Sequence, residues 1–433
     1  MNKKESTLVS RGPEASDGER PSISIRTDVL STQQQTSNTS KTDRPAKAGM
    51  LTPPSSPPQR VGPSADSTVD YESLDTLRSS VDTERTFKYT NDGIISCPYE
   101  VVYIKDQNEK RQMFGYGAWS NVYKAKCHIS APLSNGVMTP PSASVPTPPL
   151  LVAVKSPARK DGVAIIRNEA QTLSRLRLLD LNEEYVVTFH GIIDQESALV
   201  LTAFPLSLEG HIRACAKVKA AQTSTASNYS TSPVIGTARL WLNLAEKLIT
   251  ALDWMHNEAA MIHGDIKPGN IVLRPKSDLN DAENIFSYDP LFIDFSSSQR
   301  LDVDDVTPNT LSAVTMEYTA PELLTSAVMK NPKSCATTAS DVFSLAVTLL
   351  VAATGDPMVY TGCSSMQRQM LATQGHGVLS NIRSFSNKVP RHGVVDRVLE
   401  RAVLKKDMGR ISAGTWKVLL GNLKKDLEGQ HKL

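Results

Sequence analysis

His263-Gly264-Asp265-Ile266-Lys267-Pro268-Gly269-Asn270 is the stretch on which the reading of the chain turns. It sets a carboxylate, an amine two residues on and a carboxamide three further within one short polar segment. A helix-like run, Leu240–His256, precedes it, and a strand-like run, Ile271-Val272-Leu273, follows. A polar loop between a helix and a strand is a common seat of chemistry, because the frame is rigid and the loop is accessible. Asp265 can accept a proton, Lys267 can steady a phosphate and Asn270 can ligate a hard cation. Pro-Gly and Asp are also ordinary turn residues, so the octamer alone admits a plain turn as well.

The surrounding chain has 433 residues, enough for two domains or for one large domain with tails. An apolar content of 40 % supports a sizeable core. With 47 basic and 45 acidic residues the net charge is +2, which implies no attraction to nucleic acid or to a membrane. Cys97, Cys127, Cys215, Cys335 and Cys363 show neither close pairing nor metal-ligand spacing. They read as packed, reduced thiols of an intracellular protein, cytoplasmic or nuclear. Met1-Asn2-Lys3-Lys4-Glu5 lacks the apolar segment of a signal peptide. The longest apolar run, Val342–Ala353, is too short to cross a bilayer and reads as a buried helix.

Residues 1 to about 90 are rich in Ser, Thr, Pro, Gln and charge, with few large apolar side chains. Such a segment cannot bury enough surface to offset its ordering entropy and is expected to be disordered. Stretches of the same composition at about 130–149 and 219–236 interrupt globular sequence and read as loop insertions. Thr52-Pro53, Ser56-Pro57, Thr139-Pro140, Thr147-Pro148 and Ser232-Pro233 fit either low-complexity spacer or sites for proline-directed kinases. Leu51-Thr52-Pro53-Pro54-Ser55-Ser56 looks like the doubly phosphorylated degradation signals read by F-box ubiquitin-ligase receptors.

Globular sequence begins near Cys97. Phe114 to Lys124 reads as strand, glycine turn and strand, with Gly115 and Gly117 where backbone N–H groups can approach phosphate oxygens. Leu150–Ser156 is an apolar strand near whose end Lys155 stands. A helical pattern follows from Val163 to about Leu179, with Ile166, Leu173 and Leu176 on one stripe and Glu169 along it. Phe189–Ile193 and Ala198–Thr202 are two strands. Thr202-Ala203-Phe204-Pro205 then reads as a hinge, beyond which the pattern is mainly helical. Leu291 to Ile293 is a further apolar strand, ending at Asp294.

Taken in this order, the segments resemble the eukaryotic protein kinases. The octamer matches the H-R-D-x-K-x-x-N catalytic loop, with Gly264 in place of Arg. Gly115-Tyr116-Gly117-Ala118-Trp119-Ser120-Asn121-Val122 matches G-x-G-x-x-G-x-V, with Ser120 for the third Gly. Val152-Ala153-Val154-Lys155 matches V-A-I-K, and Asp294-Phe295-Ser296 matches D-F-G. Thr315 to Glu322 matches the T-x-x-Y-x-A-P-E end of an activation segment. Asp341 and Arg410 stand where the family has an acid bonded to the catalytic-loop backbone and an Arg paired with the A-P-E Glu, here Glu322. The Pro-rich insertions and the H-G-D loop look most like small fungal serine/threonine kinases.

The resemblance implies an α+β, bilobal protein kinase fold behind a disordered N-terminal tail. The domain would span 97–424, with a β-rich N-lobe at about 97–204 and a mainly helical C-lobe at about 205–424. It implies ATP and Mg²⁺ as cofactors and protein hydroxyls as substrates. Gly115, Gly117, Val122, Ala153, Lys155 and Glu169 would hold the nucleotide, Val122 and Ala153 by sandwiching adenine and Glu169 through Lys155. Asn270 and Asp294 would ligate the metal, Asp265 would act as base, and Lys267 would steady the γ-phosphate. Lys267 with Thr315 is the pairing of serine/threonine kinases. Ser296 is expected to stiffen the backbone at Asp294. Without Arg at position 264, a phosphate on the activation loop has no anchor there. The loop also resembles H-G-D-x-x-x-x-N of the aminoglycoside and choline kinases, but those normally lack both Lys267 and the A-P-E segment. A small-molecule kinase and a catalytically weak pseudokinase scaffold are the other two readings.

Overall fold

The computed structural model of the chain describes residues 87–127, 149–223, 231–276, 286–302, 315–331, 335–374 and 377–430. The tail as far as residue 86, the motif at 51–56 and the first insertion up to residue 148 lie outside the described residues. The compact unit begins at Phe87.

Its first part is an antiparallel sheet. The strands are β1 (Val101–Tyr103), β2 (Met113–Tyr116), β3 (Ser120–Cys127), β4 (Leu150–Pro157), β5 (Phe189–Ile193) and β6 (Ala198–Thr202). They lie in the order β1-β3-β4-β6-β5, with β2 on β3. Side chains alternate across β4. Val152 and Val154 join Ala125, Cys127, Ala198 and Val200 in a small cluster on one face. Ala153 packs on the main core instead, and Lys155 meets the helix α1 (Gly162–Leu176). On α1 the buried stripe is Ile166, Glu169, Ala170, Leu173 and Leu176. A carboxylate therefore sits at a core position of the helix, directed at the sheet.

After a one-turn helix α2 (Asn182–Tyr185) and the last two strands of the sheet, helices dominate: α3 (Leu208–Thr223) and α4 (Ala238–Asn257), then α5 (Ser326–Met329), α6 (Thr338–Thr354), α7 (Ser365–Gln374), α8 (Val378–Phe385), α9 (Val394–Leu399) and α10 (Ala413–Gln430). Helix α6 starts at a capping box, in which Thr337 and Ser340 exchange side-chain-to-backbone hydrogen bonds of 3.1 and 2.8 Å. It then buries Leu345, Leu349 and Leu350 completely, each worth about 1.5–3 kcal/mol. Indole N–H groups tie the helices together: Trp241 of α4 donates to Leu349 O at 2.9 Å, and Trp416 of α10 donates to Val398 O at 2.8 Å.

Two short antiparallel pairs seat the loops between the lobes. Strand β7 (Met261–Ile262) pairs with β10 (Gln299–Arg300), and β8 (Ile271–Pro275) pairs with β9 (Tyr288–Phe292). The pairs are nested in sequence, so the β7–β8 loop, residues 263–270, faces the β9–β10 loop, residues 293–298. That nesting brings Asp265 and Asp294 together.

The boundaries differ from the sequence reading in four places. Ordered chain starts before Cys97: Ser96 N–H bonds Lys88 O, Ile94 and Ile95 are buried, and Cys97 N–H bonds Ile192 O on β5. A two-residue apolar run at a sheet edge is too short to show a period. The second insertion is narrower than 219–236, because α3 runs to Thr223 and Val234 and Ile235 are buried, with Val234 N–H on Ala353 O at 2.8 Å. At the other end, α10 continues past residue 424 and packs Leu427 on the core. The strand expected up to Asp294 stops at Phe292, because Asp294 adopts a left-handed backbone, φ 64° and ψ 72°.

Candidate active site

Lys155 is the centre of the site. Strand register sets it between Val122 on β3 and Leu199 on β6. Its Nζ donates to Glu169 Oε2 at 2.7 Å and to Asp294 Oδ1 at 2.8 Å. Lys155 and Glu169 are buried, with side chains 9 % and 0 % exposed, while Asp294 keeps 34 %. Two carboxylates thus share one ammonium. Burial disfavours the Lys155 charge, but Asp294 and Glu169 outweigh it and hold the ammonium firmly protonated. Burial also opposes ionisation of Asp294, and there the Lys155 charge and the Ser296 hydroxyl prevail, keeping the carboxyl well below its ordinary range. Glu169 goes the other way: burial pushes it up to about 6 against the pull of Lys155. Of the two carboxyls, the partly exposed Asp294 is held low and the fully buried Glu169 is pushed up.

Glu169 has a second contact. Its Oε1 accepts the Phe295 N–H at 3.2 Å, so α1 is bonded both to β4 and to the β9–β10 loop. Ser296 Oγ donates to Asp294 Oδ1 at 2.7 Å. A left-handed Asp costs about 1–2 kcal/mol, and these bonds hold it there. Sequence reasoning expected Ser296 to act through backbone stiffness. The hydroxyl acts directly on the carboxylate, which the residue type allowed but no pattern announced.

Across the cleft, Asp265 accepts from Lys267 Nζ at 2.7 Å and from Asn270 Nδ2 at 2.9 Å. Lys267 also donates to Thr315 Oγ1 at 3.2 Å. Burial raises the Asp265 carboxyl above its usual range, with Lys267 pulling it back. The loop backbone hangs on Asp341 of α6, which accepts His263 N–H at 2.8 Å and Gly264 N–H at 3.0 Å from a position 1 % exposed. The buried His263 ring lies against Ile293 O at 3.1 Å and packs on Phe292 and Phe295. At Gly264, φ is +81° and a Cβ would come within 2.5 Å of Ser297 O. In this conformation the position leaves no room for a side chain, so glycine fits where the resemblance has Arg.

The remaining predicted residues lie along the sheet. Gly117 N–H closes a tight turn on Ser120 O at 2.7 Å, and a Cβ on Gly115 would meet nothing within 4 Å among the described residues. Packing therefore does not require glycine at 115; the space around it is open. Val122 and Ala153 are half-buried on adjacent strands. In the hinge, Ala203 N–H bonds Leu151 O at 3.1 Å. Far below, Arg410 and Glu322 form a two-pronged pair, 2.5 and 2.6 Å, with the Arg410 side chain wholly buried.

A β-rich lobe joined to a helical lobe, with a Lys–Glu–Asp trio facing an Asp–Lys–Asn loop, defines a class of phosphoryl-transfer domains. A protein-family model, "Protein kinase domain", matches residues 151–399, more than half of the chain. The chain belongs to the protein kinase family. Its sheet at the N-terminal side and helices at the C-terminal side are the α+β bilobal architecture expected of it. A search of curated proteins found no match.

Among the described residues no helix is long and apolar enough to cross a membrane, and no three His, Cys, Asp or Glu side chains converge as a metal site. One carboxylate and one carboxamide, Asp294 and Asn270, still suit Mg²⁺, which takes one or two protein oxygens and completes its shell with water and substrate phosphates. Asn270 spends its NH₂ on Asp265, so Oδ1 is the atom it has to offer a cation.

Proposed function

We propose that the protein is a serine/threonine kinase with a regulatory role, transferring the γ-phosphoryl group of ATP to protein hydroxyls. The observation that carries the proposal is Lys155, held at 2.7 and 2.8 Å between Glu169 and Asp294. A buried ammonium fixed so tightly supports the reading that Lys155 would receive the α- and β-phosphates. Mg²⁺ held by Asp294 and Asn270 would screen the charge on the phosphates.

The chain's own residues supply the rest. Asp265 orients the substrate hydroxyl and takes its proton as the new P–O bond forms and the bond to the β-phosphate oxygen breaks, releasing ADP. Its raised carboxyl is a better base than an exposed one. Lys267, bonded to Asp265, lies where it can steady the transferring group, and its contact with Thr315 supports serine/threonine rather than tyrosine acceptors. Gly115 and Gly117 would cover the phosphates with backbone N–H groups, and Val122 and Ala153 would flank adenine.

The test is incubation with γ-labelled ATP, Mg²⁺ and, in parallel, a mixture of protein substrates or of small amines and sugars, followed by identification of the labelled amino acid or small molecule. Label on serine and threonine is expected. Label confined to tyrosine, or to small amines and sugars, overturns the acceptor class.

A further inference from the structure

The glycine turn carries a tryptophan that the proposed reaction leaves unused. The chain has 4 tryptophans. Trp241, Trp254 and Trp416 each donate their indole N–H to a backbone carbonyl, at 2.9, 3.2 and 2.8 Å. Trp119 Nε1 is buried and has no acceptor among the described residues, an exception that calls for a cause.

What surrounds Trp119 is specific. Its ring lies under the Arg159 guanidinium, 4.6 Å from carbon to centroid, a stacking that attracts through the ring's quadrupole. Arg159 is fixed in turn by two hydrogen bonds to Asp161, 3.1 and 3.0 Å. The Trp119 carbonyl accepts Ala158 N–H at 2.8 Å. The same carbonyl lies 2.6 Å from where a Cβ on Gly162 would sit. Gly162 is the first residue of α1, the helix that carries Glu169. The tip of the turn is thus clasped to the entrance of α1 by a stacked cation, a hydrogen bond and an approach that only glycine admits. The ring itself is held by the Arg159 stacking, with no hydrogen bond among the described residues to break if the turn shifts.

We propose that Trp119 is a positioning residue that couples the glycine turn to α1, so that the turn settles over nucleotide and Glu169 settles against Lys155 as one event. This rests on the nucleotide reading above. A Trp119 that merely packs the turn would act independently of Glu169, and that difference is measurable.

The experiment is a double-mutant cycle on Mg-ADP affinity, measured by calorimetry on the full chain, where no chemical step is needed. Trp119→Ala is expected to weaken binding about tenfold in the wild-type background and less than about twofold in Glu169→Gln, the non-additivity that coupled sites show. Trp119→Phe, which keeps a stackable ring, should remain within about threefold of wild type. Arg159→Ala, at a side chain 55 % exposed, runs the same cycle if Trp119→Ala does not fold. Equal penalties in both backgrounds, or no penalty in either, overturn the coupling while leaving the nucleotide site intact. No Mg-ADP binding by the wild type overturns the nucleotide reading and this inference with it.

Discussion

Glu169 falls three residues after Ile166 and four before Leu173, so helical spacing alone carries its carboxylate into the core beside Lys155. There it titrates near 6 rather than its ordinary 4.5. Between those values the folded protein keeps a proton that the unfolded chain has lost. Its contribution to stability is therefore present at low pH and lost as pH rises through about 6. The ion pair with Lys155 needs the ionised form and fails in the opposite direction. Nucleotide affinity should accordingly weaken several-fold as pH falls from 7 towards 5, without a matching loss of thermal stability from this group, and Glu169→Gln should flatten that dependence. Calorimetric titration across the range checks both. Gly264 makes a second test at this scale. Gly264→Ala meets both a left-handed backbone and the Ser297 carbonyl, and should cost about 1–3 kcal/mol in denaturant unfolding.

Elements are held by a few buried polar ties more than by their propensities. Asp341 suspends the catalytic-loop backbone from α6, and Arg410 locks Glu322 to the segment preceding α10. Glu322→Ala leaves a buried guanidinium without its carboxylate, so a loss of about 3–5 kcal/mol is expected by chemical denaturation. These ties also mark how far the sequence could be read. Periodicity disclosed α1 and α4, the long apolar run Val342–Ala353 disclosed α6, and strands β5 and β6 run over the expected residues. It did not disclose β1, the Ile94-Ile95 edge or the burial of Val234 and Ile235, because each is a short run whose apolar character matters only beside a partner distant in sequence. At the site, residue types and spacing singled out Lys155, Glu169, Asp265, Lys267, Asn270 and Asp294. The bonds from Ser296 to Asp294 and from Phe295 N–H to Glu169 depend on a left-handed residue and a loop crossing that no linear pattern encodes.

For the whole molecule, the family match opens at residue 151, just beyond the first insertion, yet β1, β2 and β3 belong to the same sheet as the matched β4. The fold therefore extends the domain back across the interruption to Phe87. It also bears on control. With no room for a side chain at 264, a phosphate on the activation segment lacks the arginine that would anchor it. Phosphorylation between Ser296 and Thr315 should change activity by less than about twofold, as phosphomimetic and alanine substitutions would report. The central claim is that Asp265, Lys155, Glu169, Asn270 and Asp294 act together on one bound triphosphate. Its most direct test is the initial rate of γ-phosphoryl transfer at saturating Mg-ATP, measured for the wild type and Asp265→Asn. The account predicts a loss of at least about a hundredfold with nucleotide affinity and melting temperature preserved; equal rates would contradict it.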